Sequence, residues 1–442
     1  MRRKNLRITI VALGSRGDVQ PYAALGAGFA RAGYRVRLAT HDEFEDLVKN
    51  SGLEFFVMRG NPRRLLETED GVSLMEGGIN PFLFFPRFLR LVHEFFPLFR
   101  EDCERAAVGT DAVVYSNIAS LGGAFLFAPK GLPGCAAFLQ PTLPTREIEN
   151  FAFPGLPRLF PGRGAYNKAT YHTFGFITWQ SIFKQILKDL GVRMTMVEFV
   201  RRSRDFFANV PMLYGFSPSV VPKPRDWPEN AFVTGYWFLK RPPSWQPPAD
   251  LEQFLSSGRP PVYIGFGSMK AQSPEALTEL VIEAVNLSGQ RAVIHSGWAG
   301  LGGRKLPATI KVIGQVPHCW LFPRMAALVH HGGSGTTASG LRAGKPSVVI
   351  PFIADQPFWG RRVCALGAGP KPIPVTQLTA RRLAAAIHEA VNSPKMRAAA
   401  AELGRRIRQE DGVGVAVRIF EQHLYRVSQT KPQETQAVKI SG

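Results

Sequence analysis

The first half of the chain alternates between continuous apolar runs and segments with helical periodicity. The apolar, β-branched run at residues 6–13 predicts a strand buried on both faces, as in a parallel sheet. Further strands are predicted at residues 35–40, 53–58, 111–115 and 135–139. Between the first two, residues 20–32 predict a helix that ends at Gly33, and Asp42 predicts the cap of a further helix. This order is typical of a doubly wound, Rossmann-like sheet.

A second alternation follows a proline-rich stretch at residues 240–250, which predicts an extended linker. Further strands are predicted at residues 261–266, 291–295, 311–313, 327–330 and 347–351. The pattern therefore predicts an α/β protein with two Rossmann-like domains, residues 1–239 and 251–411, which face each other across a cleft. Residues 412–428 predict a last amphipathic helix, and the polar residues 429–442 predict a disordered tail.

Composition places the chain among ordinary globular proteins, with 45% hydrophobic and 20% charged residues. No apolar run reaches the roughly 18 residues that a membrane-spanning helix needs. The four cysteines lie far apart with no CxxC pair, which argues against a disulfide framework or a zinc site. This cysteine usage predicts a cytoplasmic location.

The net charge of +20 predicts a basic surface, which attracts nucleotides, nucleic acids and acidic lipids. Arginine pairs are spread along the chain and no nucleic-acid-binding module accompanies them, so a nucleic-acid partner is not expected. Two alternatives stay open, namely a basic surface without a dedicated partner and peripheral association with a membrane.

Residues 80–100 are dense in aromatic side chains, among them Phe84, Phe88 and Phe95. One interpretation is that these rings fill the core of the first domain. The other is that they line a pocket for an apolar ligand or touch a membrane. Under the second interpretation, Phe84, Phe88 and Phe95 are the candidate residues for binding that ligand.

The most informative motif spans residues 330–337, after a predicted strand and at the start of a helix. Its small residues and helix N-terminal amides suit a diphosphate, and its two histidines can donate hydrogen bonds to phosphate oxygens. The candidate phosphate-binding residues are His330, His331, Gly332, Ser334, Gly335 and Thr336. The alternative is a tight turn with a core histidine. A metal site is not expected, because neighbouring strand residues point to opposite faces and no third ligand is near in sequence.

Asp355 and Gln356 follow another predicted strand. A carboxylate and an amide at the end of a strand suit neighbouring sugar hydroxyls, since Asp accepts hydrogen bonds and Gln both accepts and donates them. The alternative is that Asp355 caps the next helix, and the two roles can also be divided between the pair.

Asp18 lies in the loop after the first predicted strand, at the edge of the sheet that faces the cleft. A carboxylate there can take a proton from an attacking hydroxyl, which is a poor nucleophile without a base. The alternative is a cap for the helix predicted to begin near residue 20. The GxGxxG spacing of a dinucleotide-binding loop is absent from residues 14–21.

Three further segments carry weaker signals. Ser268 ends a glycine-rich loop after a predicted strand, and it either contacts phosphate or forms a turn. Val316 and His318 lie in a segment whose backbone groups can meet a nucleoside base, and Trp298 can supply a stacking ring.

Together these segments resemble the UDP-glucose:sterol glucosyltransferases and the related bacterial antibiotic glycosyltransferases of glycosyltransferase family 1. The resemblance rests on residues 14–21, 265–268, 296–298, 316–322, 330–337, 341–344 and 351–359. They occur in the same order over both domains, and the segment 316–367 is the most specific of them.

The resemblance implies a GT-B fold and a nucleotide-sugar donor, with no cofactor, no required metal and inversion at the anomeric carbon. It implies that Asp18 is the catalytic base, that the residues of the 330–337 motif hold the diphosphate, and that Asp355 and Gln356 hold the sugar. Trp298 and Val316 would lie near the base, and the last helix would pack back across the cleft. The predicted function is transfer of glucose from UDP-glucose to a hydroxyl of a sterol or sterol-like lipid.

Other interpretations stay open. One is a glycosyltransferase for a polyketide, carotenoid or other natural product, with a TDP-sugar as an alternative donor. A second is a nucleotide-sugar epimerase, which converts the donor with no acceptor present. A third is a binding protein without catalysis, against which the presence of Asp18, His330 and Asp355 argues.

Overall fold

The computed structural model describes residues 6–60, 97–116, 131–157, 159–189, 193–242, 244–267, 274–298 and 306–430. Within these ranges the chain forms two parallel β-sheets flanked by helices. Both sheets are covered on two faces, which is why most positions of their strands are apolar on both sides.

The first sheet has seven strands in the order β3-β2-β1-β4-β5-β6-β7, all parallel. The strands are β1 (Arg7–Val11), β2 (Arg35–Thr40), β3 (Glu54–Val57), β4 (Ala112–Tyr115), β5 (Gly134–Phe138), β6 (Met212–Tyr214) and β7 (Ala231–Val233). The strand order reverses between β1 and β4. Loops diverge at such a switch point, so a crevice opens there at the carboxyl edge of the sheet.

The second sheet has five parallel strands in the order β10-β9-β8-β11-β12. They are β8 (Val262–Gly265), β9 (Ala292–His295), β10 (Ile310–Ile313), β11 (Leu328–His330) and β12 (Ser347–Val349). Its switch point lies between β8 and β11. The loops after these two strands and after β12 carry the glycine-rich and acidic segments singled out in the sequence.

The α-helices within the described ranges connect these strands. In the first half they are α1 (Arg16–Arg31), α2 (Glu45–Lys49), α3 (Arg163–Thr178), α4 (Lys184–Asp189) and α5 (Met196–Asn209), and the described residues 97–106 are also helical. In the second half they are α6 (Ala249–Ser256), α7 (Pro274–Ser288), α8 (His318–Leu321), α9 (Ser334–Ala343), α10 (Gln356–Ala365), α11 (Ala380–Asn392), α12 (Pro394–Gln409) and α13 (Gly412–Thr430).

Helix α13 returns from the second half of the chain and packs on α1 of the first. The rings of Phe420 and Phe29 meet edge to face with centroids 5.0 Å apart, a geometry worth about 0.5–1.5 kcal/mol beyond the buried area. Only glycine fits at position 28, because a Cβ there would lie 2.3 Å from Cγ1 of Val413. The close approach of the two helices therefore depends on Gly28.

Two predicted helix starts are wrong. Helix α1 begins at Arg16 and contains Pro21 as its sixth residue, where proline supplies no N–H to the hydrogen-bond ladder of the helix. Asp42 opens a short 3-10 turn for which His41, not Asp42, is the cap residue. The predicted disordered tail lies outside the described residues apart from its first two positions, which belong to α13.

Candidate active site

Asp18 lies in the first turn of α1, and not in a loop before it. Its Oδ2 accepts hydrogen bonds from the backbone N–H and the hydroxyl of Ser15, both at 2.8 Å. Ser15, and not Asp18, occupies the cap position. Gly14, with φ +124°, leaves room for the folded-back carboxylate, because a Cβ at this position would be 2.6 Å from Oδ2. Burial raises the pKa of Asp18, and the Ser15 hydrogen bonds oppose that rise.

The 330–337 motif ends β11 and begins α9, with Gly333 at the N-cap. Ser334, Gly335 and Thr336 form the first turn of α9 and are half-buried. The backbone N–H groups of a first turn have no partner within their own helix and carry the positive end of its dipole. This turn therefore offers an anion site at the carboxyl edge of the second sheet.

His330 is fully buried at the end of β11. Its Nδ1 accepts the backbone N–H of Gly332 at 3.0 Å, so the ring proton of the neutral form is on Nε2. Nε2 is buried and has no hydrogen-bond partner among the described residues. Burial lowers the pKa of His330 to about 3, so the ring is a neutral donor at physiological pH.

His331 points to the other side of the strand, with its ring at 83° to that of His330 and the ring centroids 6.5 Å apart. It lies between two glycine loops, where a Cβ on Gly333 would be 2.4 Å from its Nε2 and one on Gly267 would be 2.9 Å from its Cε1. Burial lowers the pKa of His331 to about 4. In the part of the chain that the structure describes, no three His, Cys, Asp or Glu side chains are grouped to hold a metal.

Asp355 occupies the N-cap position of α10 but makes no side-chain cap hydrogen bond. Its Oδ2 instead accepts from the indole N–H of Trp359 at 2.8 Å and from the side-chain amide of Gln140 at 3.1 Å. Burial, and to a smaller extent the charge of Asp18, raises the pKa of Asp355 to about 6. The helix-capping alternative for Asp355 is therefore wrong.

The side-chain oxygen of Gln356 bonds to the backbone of the turn that precedes it. Its Oε1 accepts the backbone N–H groups of Phe352 at 2.8 Å and Ile353 at 3.2 Å. These bonds close a turn in which Ala354 has φ +56°, the one positive φ at a non-glycine position in the described ranges. Such a backbone costs an L-residue about 1–2 kcal/mol, so Gln356 holds a strained turn that presents Asp355 to the cleft.

The candidate nucleoside residues lie at the ends of β9 and β10. Trp298 ends a 3-10 turn after β9. Val316 packs on the apolar cluster beside α8. The ring of His318 stacks on Phe322 with centroids 4.1 Å apart, and burial lowers its pKa to about 3. Ser268, Phe84, Phe88 and Phe95 lie outside the described residues.

The two domains meet around these groups. The guanidinium of Arg16 donates to Oε1 of Gln315 at 2.7 Å, so the Asp18 turn touches the residue before Val316. A Cβ on Gly335 would lie 3.6 Å from the carbonyl oxygen of Gly17, so the N-termini of α1 and α9 approach each other across the cleft. Asp18, Asp355 and the α9 N-terminus thus border one space.

Gln140 was missed by the sequence interpretation. It comes two residues after β5, and a polar side chain at the carboxyl end of a parallel strand was the available signal. Its partner Asp355 is 215 positions away in sequence, so nothing local marks the pair.

Comparison with known proteins identifies the family. The profile of the glycosyltransferase family 28 N-terminal domain matches residues 8–129, and that of the erythromycin biosynthesis protein CIII-like C-terminal domain matches residues 280–411. A sterol 3-beta-glucosyltransferase of Arabidopsis thaliana is 34% identical over 426 residues, which cover 95% of this chain and 68% of the relative. The chain belongs to the sterol 3-beta-glucosyltransferase family. The resemblance stated from the motifs and the predicted enzyme class, a glycosyltransferase, are thereby confirmed.

The chain spans only part of its relatives. A second Arabidopsis thaliana sterol 3-beta-glucosyltransferase is 35% identical and is covered over 66% of its length. One from Aspergillus fumigatus is 36% identical over 96% of this chain but is covered over only 30% of its own length. The shared region is therefore the two-domain body described above.

Solved structures confirm the predicted fold class. CalG4, the calicheamicin glycosyltransferase, matches with a TM-score of 0.65 at 18% identity, over 98% of this chain and all of the other. The glycosyltransferase VinC in complex with DTDP matches with a TM-score of 0.62 at 17% identity, over 95% and 100%. At these identities the likeness shows the fold alone, a GT-B glycosyltransferase fold.

Proposed function

We propose that the chain transfers glucose from UDP-glucose to a hydroxyl of a sterol or sterol-like lipid, with inversion at the anomeric carbon. The observation that carries this proposal is the placement of Asp18 and Asp355 on opposite sides of one cleft, close enough for the charge of Asp18 to raise the pKa of Asp355. The sterol 3-beta-glucosyltransferases at 34–36% identity support a sterol acceptor.

In the proposed reaction the acceptor oxygen forms a bond to the anomeric carbon as the bond from that carbon to the diphosphate breaks. Asp18 takes the proton of the attacking hydroxyl, and its raised pKa suits a general base. Asp355 holds hydroxyls of the sugar, while the leaving UDP carries away the electron pair of the broken bond.

The charge that develops on the diphosphate needs stabilisation. The first-turn amides of α9 and the neutral Nε2–H of His330 supply hydrogen-bond donors at the carboxyl edge of the second sheet, where the diphosphate would lie. We therefore propose that transfer needs neither a metal nor a cofactor. Trp298, Val316 and His318 remain our candidates for contact with the nucleoside.

The test is nucleotide release from UDP-glucose or TDP-glucose with ergosterol, cholesterol, a flavonoid, a macrolide or no acceptor. We expect UDP release that depends on a sterol and survives chelator. Release with the macrolide or flavonoid alone would favour the natural-product alternative. Donor conversion without an acceptor would indicate an epimerase. An absence of donor binding would contradict the proposal as a whole.

The acceptor implies contact with a lipid surface, and α3 to α5 supply a candidate face. Phe199 of α5 packs on Trp179 and Phe183, with ring centroids 4.7 and 4.8 Å apart, so α5 lies beside the end of α3. On the outer sides of these helices Phe176, Val197 and Val200 are 47%, 78% and 53% exposed.

Basic side chains accompany these apolar ones. The exposed cations of the same segment are Lys168, Lys184, Lys188, Arg193, Arg201, Arg202 and Arg204. Apolar side chains that insert and cations that attract anionic headgroups are the two features of an interfacial membrane contact. The described residues include no helix that is long and apolar enough to cross a bilayer. We propose peripheral binding at the cytoplasmic face of a membrane.

Vesicle sedimentation tests this face. The protein is expected to bind phosphatidylserine-containing vesicles more tightly than pure phosphatidylcholine, with a loss at high salt. Val197→Asp should weaken the binding about tenfold, because it places a carboxylate among the inserting residues. Leu287→Asp is the matched control, since Leu287 is 55% exposed on the other domain. Equal binding by both variants would refute the assignment of the face.

A further inference from the structure

Asp355 belongs to the second domain, but one of its hydrogen bonds comes from the first. Gln140 is half-buried two residues beyond β5, at the carboxyl edge of the first sheet. Its Nε2 donates to Oδ2 of Asp355 at 3.1 Å, across the cleft. The sequence signalled Asp355 as a sugar-binding residue, but it gave no reason to connect it with Gln140.

The second bond to Oδ2 comes from a fixed donor. Trp359 is fully buried on α10, and its ring packs edge to face on Phe216 with centroids 6.4 Å apart. Its indole N–H donates to Oδ2 at 2.8 Å. One donor of the pair is therefore on the helix that Asp355 itself begins, in a core shared by both domains, whereas the other comes from the first domain alone.

Both donors favour the charged form of the carboxylate. It is buried, and Asp18 on the facing helix adds a repulsive negative charge. Hydrogen bonds to the ionised form oppose both effects. Because both side-chain bonds end on Oδ2, they constrain the carboxylate and leave Oδ1 as the oxygen that can accept from a sugar hydroxyl.

We propose that Gln140 is a positioning residue for the donor sugar: it orients Asp355 from the first domain, so that the sugar-binding carboxylate depends on both domains. The proposal rests on the proposed function, because it takes Asp355 as the sugar-binding acid. It adds a residue of the first domain to the recognition of the donor, and it links donor affinity to a contact between the two domains.

A second contact also holds the two domains together, so the Gln140–Asp355 bond can be removed without separating them. The guanidinium of Arg361 on α10 donates to Glu149 of the first domain at 2.7 Å, and the Glu149 side chain is only 12% exposed. Arg361 also reaches the carbonyl oxygen of Phe153 at 3.4 Å. Variants of Gln140 should therefore keep the fold and the mutual arrangement of the domains.

The indole N–H resonance of Trp359 tests the link without any ligand, because that group is bonded to Asp355. The resonance is assigned by its absence from the spectrum of Trp359→Phe. Its chemical shift is expected to titrate near pH 6 in the wild-type protein, with the protonation of Asp355. Gln140→Met removes the donor and keeps the shape of the side chain. We expect the midpoint to rise by about one pH unit, as the loss of a hydrogen bond to a charged group predicts. Gln253→Met, on the exposed surface of α6, is the control and should leave it unchanged.

Donor binding by calorimetry gives the second readout. At pH 7 Gln140→Met should bind UDP-glucose about tenfold more weakly than wild type, with unchanged affinity for UDP, which lacks the sugar. The proposal would be overturned if the titration midpoint of the Trp359 resonance were the same in Gln140→Met as in wild type. It would also be overturned if the variant lost affinity for UDP and UDP-glucose equally. Wild-type protein that does not bind UDP-glucose would instead contradict the proposed function, while the Trp359 midpoint would still decide whether Gln140 controls Asp355.

Discussion

Replacing Asp18 by asparagine is expected to lower kcat by about 10²- to 10⁴-fold, the usual contribution of a general base. Asparagine keeps an oxygen that can accept the two Ser15 hydrogen bonds, so the first turn of α1 should stay in place. It cannot take a proton from the acceptor hydroxyl. The measurement is the initial rate of sterol-dependent UDP release, at saturating donor.

Donor affinity separates this effect from a structural one. Asp18 belongs to the first domain, whereas the candidate diphosphate residues belong to β11 and α9. Asp18→Asn should therefore bind UDP as the wild type does. A Kd for UDP that rises together with the fall in kcat would mean that Asp18 acts on the donor, and the assignment as a base would be wrong.

The pH dependence of activity is an independent test of Asp18 as the base. Burial raises the pKa of Asp18, and a base must be ionised to accept a proton. Activity should therefore be full at high pH and should fall as the pH drops through this raised pKa. Asp355, with its pKa raised to about 6, must also be ionised and contributes a second loss on the acidic side. The acid limb should accordingly reflect two carboxylates that interact, and not one.

The sequence predicts strands better than helix starts, and the reason is physical. A strand buried on both faces is dominated by apolar residues, and residues 35–40 were predicted with the bounds that β2 has even though this strand also carries Arg35, Arg37 and Thr40. A helix start depends on a few hydrogen bonds at its first turn. In α1 the cap is Ser15, so the helix begins at Arg16 and not near residue 20, where the sequence predicts its start.

The candidate site shows a similar limit. Sequence patterns found Asp355 and Gln356, but they left open whether both bind the sugar or whether the pair divides sugar binding and a structural role. The structure separates them, because Oε1 of Gln356 accepts two backbone N–H groups of its own turn, and Asp355 instead faces the first domain. Such a division depends on which direction each side chain takes from a strained turn. No local spacing encodes that direction, and the same is true of the bond from Gln140.

The second large effect is expected at His330. His330→Ala should weaken UDP binding by about 1.5–3 kcal/mol, roughly 10- to 150-fold in Kd, the value of a hydrogen bond to a charged group. The ring is placed to supply it, since Nδ1 is occupied by Gly332 and Nε2 is a buried donor without a partner in the described ranges. Calorimetry with UDP is the direct measurement, and kcat at saturating donor should change much less than in Asp18→Asn.

Because His330 is fully buried, alanine also leaves a hole and removes the bond to Gly332. His330→Asn separates these effects, since its side-chain oxygen can still accept the Gly332 N–H but no donor remains at the Nε2 position. It should keep the melting temperature near that of the wild type and still lose UDP affinity. His172→Ala, which replaces an exposed histidine on α3, is the control for a histidine lost elsewhere.

With the pKa of His330 lowered to about 3, the ring stays neutral between pH 5 and 8. UDP affinity of the wild type should therefore show no step near pH 6.5 from this ring, and a His330→Asn protein with wild-type affinity would remove His330 from the diphosphate site.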